Sequence, residues 1–182
     1  NLLITFHSVT LEEGSTNKQF IELLAALRPL KETGLIFTLP NADTDGLVII
    51  KLINEFVSNS LNSIVFKSLG QLHYLSCMSQ MDGVIGNSSS GLLEAPSLKI
   101  PTINIGDRQK GRLQASSVIN CRPERSCIVK AIKKLDSKRF LVGLKKTISP
   151  YGKGGASKKI VKIIKNLKSD GILKKQFFDL NQ

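Results

Sequence analysis

Ser88, Ser89 and Ser90 stand in a row after Gly86-Asn87, directly behind the apolar pair Val84-Ile85, and Glu94 follows four residues beyond the last serine. An apolar run that breaks at glycine and resumes in hydroxyls has the pattern of a helix start, with serine oxygens as N-caps and unpaired amides behind them. Such amides favour an anion. The three serines therefore read as ligands for phosphate oxygens, with plain structural capping as the alternative for any one of them. Glu94, one helical turn on and on about the same face as Ser90, offers two acceptor oxygens to a sugar diol. A carboxylate beside a diphosphate would repel it, so Glu94 fits only the sugar side of a nucleotide.

Two other groups carry chemistry. Gly106-Asp107-Arg108-Gln109-Lys110-Gly111-Arg112 places three cations in a glycine-bounded loop directly after the apolar run 103–105. The guanidinium forks of Arg108 and Arg112 suit phosphate oxygens, and a leaving diphosphate gains charge as its bond to the sugar breaks. His7, at the end of the first apolar run, can shuttle a proton near neutrality or donate to a diphosphate oxygen. The other histidine, His73, reads as a capping or packing residue. No Ser-His-Asp order, paired carboxylates or metal-ligand cluster stands out, so neither a metal nor a cofactor is expected. Cys77, Cys121 and Cys127 lack CxxC spacing and read as reduced thiols.

These residues need a scaffold. Short apolar runs recur at 2–6, 35–39, 64–66, 83–85, 102–105 and 118–119. Between them Phe20, Leu23, Leu24 and Leu27 keep helical spacing, as do Leu47, Ile50 and Ile53 after the turn-forming stretch 41–46. Alternation of this kind predicts an α/β fold, a Rossmann-like doubly wound parallel sheet. In such sheets ligands bind outside the carboxyl ends of the strands, and His7, Asn41, 67–70, 87–90 and 106–112 all fall there. Ser149-Pro150-Tyr151-Gly152-Lys153-Gly154-Gly155 marks a bend before a helix with Ile160, Ile163, Ile164 and Leu167 on one face. Its Gly-Lys-Gly-Gly follows no strand and lacks a Ser/Thr ending, so it reads as a hinge and not a phosphate loop. The expected division is a Rossmann-like domain at 1–148 and a hinge with helices at 149–182.

Composition narrows the partners. The chain has 182 residues, 41% of them hydrophobic, enough for one good core. Its net charge of +12 is unevenly spread: residues 1–120 hold nine Lys/Arg against ten Asp/Glu, and residues 121–182 hold seventeen against four. The tail carries Phe140, Tyr151, Phe177 and Phe178 in no stacking pattern, so a solvated lysine face is expected and no nucleic-acid partner. No apolar run approaches the roughly 20 residues that span a bilayer, and no leader pattern opens the chain. A cytoplasmic protein without a membrane partner is expected. The opening Asn1-Leu2-Leu3-Ile4-Thr5-Phe6 is strand-like from its first residue, which suggests a piece of a longer protein.

Several motifs, taken in order, resemble one family. They are Thr5-Phe6-His7-Ser8-Val9-Thr10-Leu11-Glu12, Leu39-Pro40-Asn41-Ala42-Asp43, Ile85-Gly86-Asn87-Ser88-Ser89-Ser90-Gly91 through Glu94, Pro101-Thr102-Ile103-Asn104-Ile105-Gly106 through Arg112, and Pro150-Tyr151-Gly152. Together they resemble the C-terminal half of the UDP-N-acetylglucosamine 2-epimerases, above all the hydrolysing branch that feeds sialic acid synthesis. The resemblance implies the second, UDP-binding domain of a glycosyltransferase-B type fold, with the final helix packing back toward an N-terminal domain. It implies Ser88 and Ser89 on the diphosphate, Glu94 on the ribose hydroxyls, and Leu69 and Gly70 at the uracil. Asn41, Ser90 and Arg112 complete the binding set, His7 faces the reacting sugar and phosphate, and Arg108 lies in the active-site region.

The implied reaction uses no metal. A base removes the proton at sugar carbon 2, UDP departs to leave a 2-acetamidoglucal, and water adds to give free N-acetylmannosamine. The proton-moving carboxylates of the family lie on the first domain, so this chain is expected to bind UDP without turning over the UDP-sugar. Homo-oligomers are common in the family. Two other readings stay open: UDP-diacetylbacillosamine as the substrate, as in legionaminic acid synthesis, or the donor-binding domain of a UDP-sugar glycosyltransferase.

Overall fold

The computed structural model describes residues 1–9, 15–41, 44–152 and 154–167. Thr10, Leu11 and Glu12 of the first motif, Ala42 and Asp43 of the second, Lys153 of the hinge, and Phe177 and Phe178 lie outside the described residues. Six strands alternate with helices: β1 (Leu2–Thr5), α1 (Ser15–Leu27), β2 (Leu35–Thr38), α2 (Thr44–Ser58), β3 (Ser63–Phe66), α3 (Gly70–Met78), β4 (Gly83–Gly86) and α4 (Ser90–Leu93). A 3-10 turn (Ala95–Leu98), β5 (Thr102–Ile105), β6 (Val118–Cys121), α5 (Arg125–Leu135), α6 (Lys138–Leu144) and α7 (Ala156–Lys165) complete the order. All six expected runs are strands. They form one sheet in the order β3-β2-β1-β4-β5-β6, with parallel pairing throughout. This is a doubly wound Rossmann-like sheet whose strand order reverses between β1 and β4.

Strand periodicity builds two cores. Leu2 and Ile4, with Leu35, Phe37, Ile85, Ile103 and Ile105, point to one face, where α1, α2 and α5 cover them. Leu3 and Val84 point to the other and meet Met78 of α3 and Ala95 of the 3-10 turn. Because both faces are covered, the central strands β1, β4 and β5 are buried at every position, whereas the edge strand β3 alternates between partly buried and exposed residues. Phe6 packs on Phe20 with ring centroids 5.4 Å apart, and Phe37 meets Phe56 edge-on at 5.6 Å. Each such burial stabilises by about 1.5–3 kcal/mol.

The helical faces partly differ from expectation. Phe20, Leu23, Leu24 and Leu27 of α1 are buried. In α2 the buried set is Ile49, Ile53 and Phe56, whereas Leu47 is 57% exposed. Leu47-Val48-Ile49-Ile50 is apolar on every side, so helical spacing fits two registers, and only packing against the sheet selects the one with Phe56 inside. His73 neither caps nor packs; it is exposed on α3. Leu69, at the N-cap position, has no polar side chain to cap that helix.

The described residues divide into two compact units, the first ending at Tyr151 and the second beginning at Gly152. Within the second, α7 begins after the left-handed Gly155, and Ile160, Ile163, Ile164 and the following Leu167 are exposed. No helix among the described residues is long and apolar enough to cross a membrane.

Two predictions follow from this packing. Gly86 has φ +145°, and a Cβ there would sit 1.9 Å from the Thr5 carbonyl oxygen. Gly86→Ala should destabilise by roughly 3 kcal/mol or more, against about 1 kcal/mol for Gly70→Ala, where φ is +62° but space is open. Urea denaturation that ranks the two equally would contradict the close approach. Burial, with Cys127 adding to it, pushes the Cys121 thiol up from 9.0 to about 12. The folded chain thus holds this proton more tightly than the unfolded one, a contribution complete below pH 9 and lost as pH rises toward about 12. Cys121→Ala should lose less urea resistance than the parent between about pH 8 and about pH 10.5.

Candidate functional site

At the reversal of strand order, helices leave the sheet in opposite directions and open a crevice at the carboxyl ends of β1 and β4. The strands turn polar here: Thr5 and Thr38 are buried, and their hydroxyls meet at 2.7 Å. The β1–β4 ladder ends with Thr5 opposite Gly86. Gly86, without a side chain, lets β4 press against the Thr5 carbonyl, and the next amide, Asn87, donates to that carbonyl at 3.3 Å.

Asn87 is fully buried. Its Oδ1 accepts the His7 amide at 2.7 Å, and its Nδ2 donates to the His7 carbonyl at 2.8 Å. Its own carbonyl accepts Gln109 Nε2 at 2.8 Å and Arg108 Nη1 at 3.2 Å. One residue therefore ties the end of β1 to the loop after β5. Gln109, 1% exposed, has a buried Oε1 without a partner among the described residues. Such an orphan acceptor costs roughly 1–3 kcal/mol, so the bond to Asn87 forms against a local penalty.

The serine turn follows. Ser89 occupies the N-cap position of α4, yet its side chain makes no capping bond. Ser88 Oγ accepts the Ser90 amide at a long 3.4 Å, and Ser90 Oγ donates to the Tyr74 hydroxyl at 3.0 Å. Among the described residues, nothing accepts from the amides of Ser88 and Ser89. Two N–H groups of half-buried residues and one uncommitted hydroxyl thus stand together just beyond the end of β4, which is the chemistry of an anion cradle. α4 is a single turn, so its dipole adds little; the local amides carry the effect. The Glu94 amide donates to the Ser90 carbonyl at 2.9 Å, which sets the half-buried carboxylate one turn past the serines.

The cation loop is shaped by Gly106 (φ +70°) and Gly111 (φ +82°) and closed by Lys110 N donating to the Asp107 carbonyl at 2.8 Å. Lys110 and Asp107 also pair at 4.0 Å through exposed side chains, a weak interaction. Burial of part of its side chain, and then repulsion from Arg112, hold the Arg108 guanidinium below its ordinary value. Two like charges kept this close are relieved by an anion between them.

The expected residues divide by position. His7 and Arg108 are both tied to Asn87, Ser88, Ser89 and Ser90 follow it at the end of β4, Glu94 closes α4 one turn on, and Arg112 is close enough for Arg108 to feel its charge. Asn41, exposed, follows β2, and Leu69 with Gly70 opens α3, whose Tyr74 reaches both Ser90 and, at 3.4 Å, Thr5. Asn87 and Gln109 lie within the expected stretches 87–90 and 106–112 without a role of their own there, and Tyr74 and the Thr5–Thr38 pair were not among the expected site residues. A polar residue at the last position of a buried strand was the available signal for Thr5 and Thr38; nothing local marked Tyr74 or singled out Gln109 within its loop. Among the described residues, no group of three His, Cys, Asp or Glu is placed to hold a metal ion.

A family model described as UDP-N-acetylglucosamine 2-epimerase matches residues 1–165. The chain is 44% identical over 98% of its length to a GDP/UDP-N,N'-diacetylbacillosamine 2-epimerase (hydrolyzing) of Campylobacter jejuni, covering 46% of that protein. It is 39% identical, with the same coverage of both chains, to the polysialic acid biosynthesis protein P7 of Escherichia coli. The chain thus spans about half the length of these relatives. Among solved structures, the S. aureus MnaA-UDP co-structure superposes with a TM-score of 0.73 at 18% identity, over 91% of this chain and 44% of that one. At that identity the likeness is one of fold.

If the serine turn is the anion cradle, titration with pyrophosphate should move the Ser88 and Ser89 amide resonances before any in α7. Arg108→Ala should weaken that binding roughly 10- to 100-fold, the loss of one charged hydrogen-bond donor set. A response confined to the lysines of 121–167 would refute the assignment.

Proposed function

This chain belongs to the UDP-N-acetylglucosamine 2-epimerase family, and we propose that it is the UDP-binding half of a hydrolysing UDP-N-acetylhexosamine 2-epimerase. The observation that carries the proposal is the pair of unpartnered Ser88 and Ser89 amides, set beside Arg108 and one turn before Glu94. A nucleoside diphosphate matches this set in order. Its diphosphate takes the amides, the Ser89 hydroxyl and the Arg108 fork, while Glu94, too negative for the phosphates, takes the ribose diol. Leu69 and Gly70, joined to the serine turn through Tyr74 and Ser90, then lie on the base side, with Asn41 and Arg112 at the rim.

In this reading the chain acts on the leaving group. As the carbon–oxygen bond breaks, charge gathers on the diphosphate, and donors fixed by the fold stabilise that charge without reorganising. His7, at the end of β1, is placed to donate to the departing oxygen or to the reacting sugar. Removal of the proton at sugar carbon 2 needs a base that this set lacks: Glu94 is committed to the ribose. That base belongs to the N-terminal domain that completes the enzyme in this reading. The exposed apolar stripe of α7 is the surface proposed to return to that domain, in an assembly that is a homo-oligomer.

Two substrates divide the proposal. UDP-N-acetylglucosamine, giving free N-acetylmannosamine for sialic acid synthesis, is the first, and the E. coli relative named for polysialic acid biosynthesis favours it. UDP-N,N'-diacetylbacillosamine is the second, favoured by the name of the C. jejuni relative at 44% identity. The two differ at the far side of the sugar from the diphosphate, so the UDP grip is common to both.

Incubating the complete enzyme with each nucleotide sugar in heavy water and following both by NMR tests the proposal. One substrate should be consumed, UDP released, and deuterium placed at carbon 2 of the free sugar. Product without deuterium would rule out elimination, and transfer of the sugar to an acceptor would favour a glycosyltransferase. The 182-residue chain alone should bind UDP and release none from either sugar.

A further inference from the structure

We propose that Asn87 is the positioning residue that sets His7 against Arg108, its side chain holding one and its main-chain carbonyl the other. This inference rests on the reading above, in which His7 and Arg108 act on the substrate, and deepens it. Neither group is positioned by regular structure. The β1–β4 ladder stops at Thr5 opposite Gly86, two residues before His7, and Arg108 lies in a loop beyond the end of β5.

A carboxamide is the side-chain group able to imitate a strand partner, because it offers one acceptor and one donor in a plane, as a peptide unit does. The Asn87 side chain does this for His7, accepting its N–H at 2.7 Å and donating to its C=O at 2.8 Å. Ser could make one of these bonds, Asp would set an oxygen against the His7 carbonyl, and Gln would be one methylene too long. The β1–β4 pairing is thereby extended past its end by a side chain. His7, partly buried, has both backbone groups satisfied and its Cα fixed.

The other half of the device is the Asn87 carbonyl. It accepts Gln109 Nε2 at 2.8 Å and Arg108 Nη1 at 3.2 Å, so Arg108 is drawn toward β4 at two adjacent points. Gln109 leaves its own Oε1 buried and unpartnered to make this bond, which a side chain placed only for packing would not do. Gly86, with φ +145° and no room for a Cβ, is what lets the Asn87 backbone reach both sides. The distance between imidazole and guanidinium is thus set through one residue, and displacement of either group lowers the rate more than it lowers affinity.

The two histidines make the test direct, since the chain has only His7 and His73 and the second is exposed on α3 as an internal control. In Asn87→Ala the His7 imidazole signals should shift while those of His73 stay fixed. In the complete enzyme the same variant should lose kcat roughly 10- to 100-fold with KM changed by less than about threefold. Gln109→Leu should leave the His7 signals in place and weaken UDP binding. Unmoved His7 signals with kcat/KM within about twofold of the parent would overturn the proposal. So would a chain that fails to fold as both Asn87→Ala and Asn87→Ser, since the residue would then be structural. If the parent enzyme consumes neither UDP-sugar but His7 still moves in Asn87→Ala, the epimerase reading falls and the positioning role stands.

Discussion

The approach of β4 to β1 at Gly86 and Thr5 governs the rest of the site. At the last pair of the β1–β4 ladder the Gly86 backbone takes a conformation that only glycine adopts easily, and a methyl there would meet the Thr5 carbonyl. That single contact decides where Asn87 emerges. Asn87 in turn decides where His7 and the loop 106–112 lie, and the serine turn starts at the next residue. The apolar cores on both faces hold the strands rigidly enough for the contact to persist, which links the packing of Ile85 and Val84 to the placement of polar groups one residue beyond them.

The crevice has a consistent electrostatic character. Its donors are mostly neutral amides and hydroxyls fixed by backbone, and its cations come from one loop at the rim. Neutral donors do not repel one another before a ligand arrives, and the two arginines that do are partly exposed to solvent. In the proposed role an anion would meet groups already in place. The hydroxyl chain from Thr38 through Thr5 and Tyr74 to Ser90 joins the carboxyl ends of β2 and β1 to α3 and α4, so the base side and the phosphate side of a nucleotide would be held by one connected layer.

Much of this was legible in the residues alone. All six strands could be read because each is a short run rich in β-branched and other apolar residues bounded by turn residues, a signal that survives without knowledge of partners. The α2 face could not be read the same way: four apolar residues in a row satisfy either register, and the choice fell to Phe56 of the helix meeting Phe37 of β2 on the same face of the sheet. His73 misled because a histidine near a helix start can cap, while in the structure it faces solvent. Ser90 read as a ligand by its place in a serine row, yet its hydroxyl is given to Tyr74, sixteen residues away.

The residue types fixed in advance what kind of site was possible: serine hydroxyls and amides for an anion, a carboxylate one turn later for a diol, arginines after a strand. Their spacing depends on local geometry, which the chain specifies over a few neighbouring residues. Which groups remain open to a ligand depends on contacts between residues about 20 to 80 positions apart, as between Asn87 and His7 or Asn87 and Gln109. No local pattern encodes those distances. They exist only once the sheet has brought β1, β4 and β5 side by side, so the division of labour between a bonded Ser90, an uncommitted Ser89 and a clamped Asn87 was settled by tertiary structure.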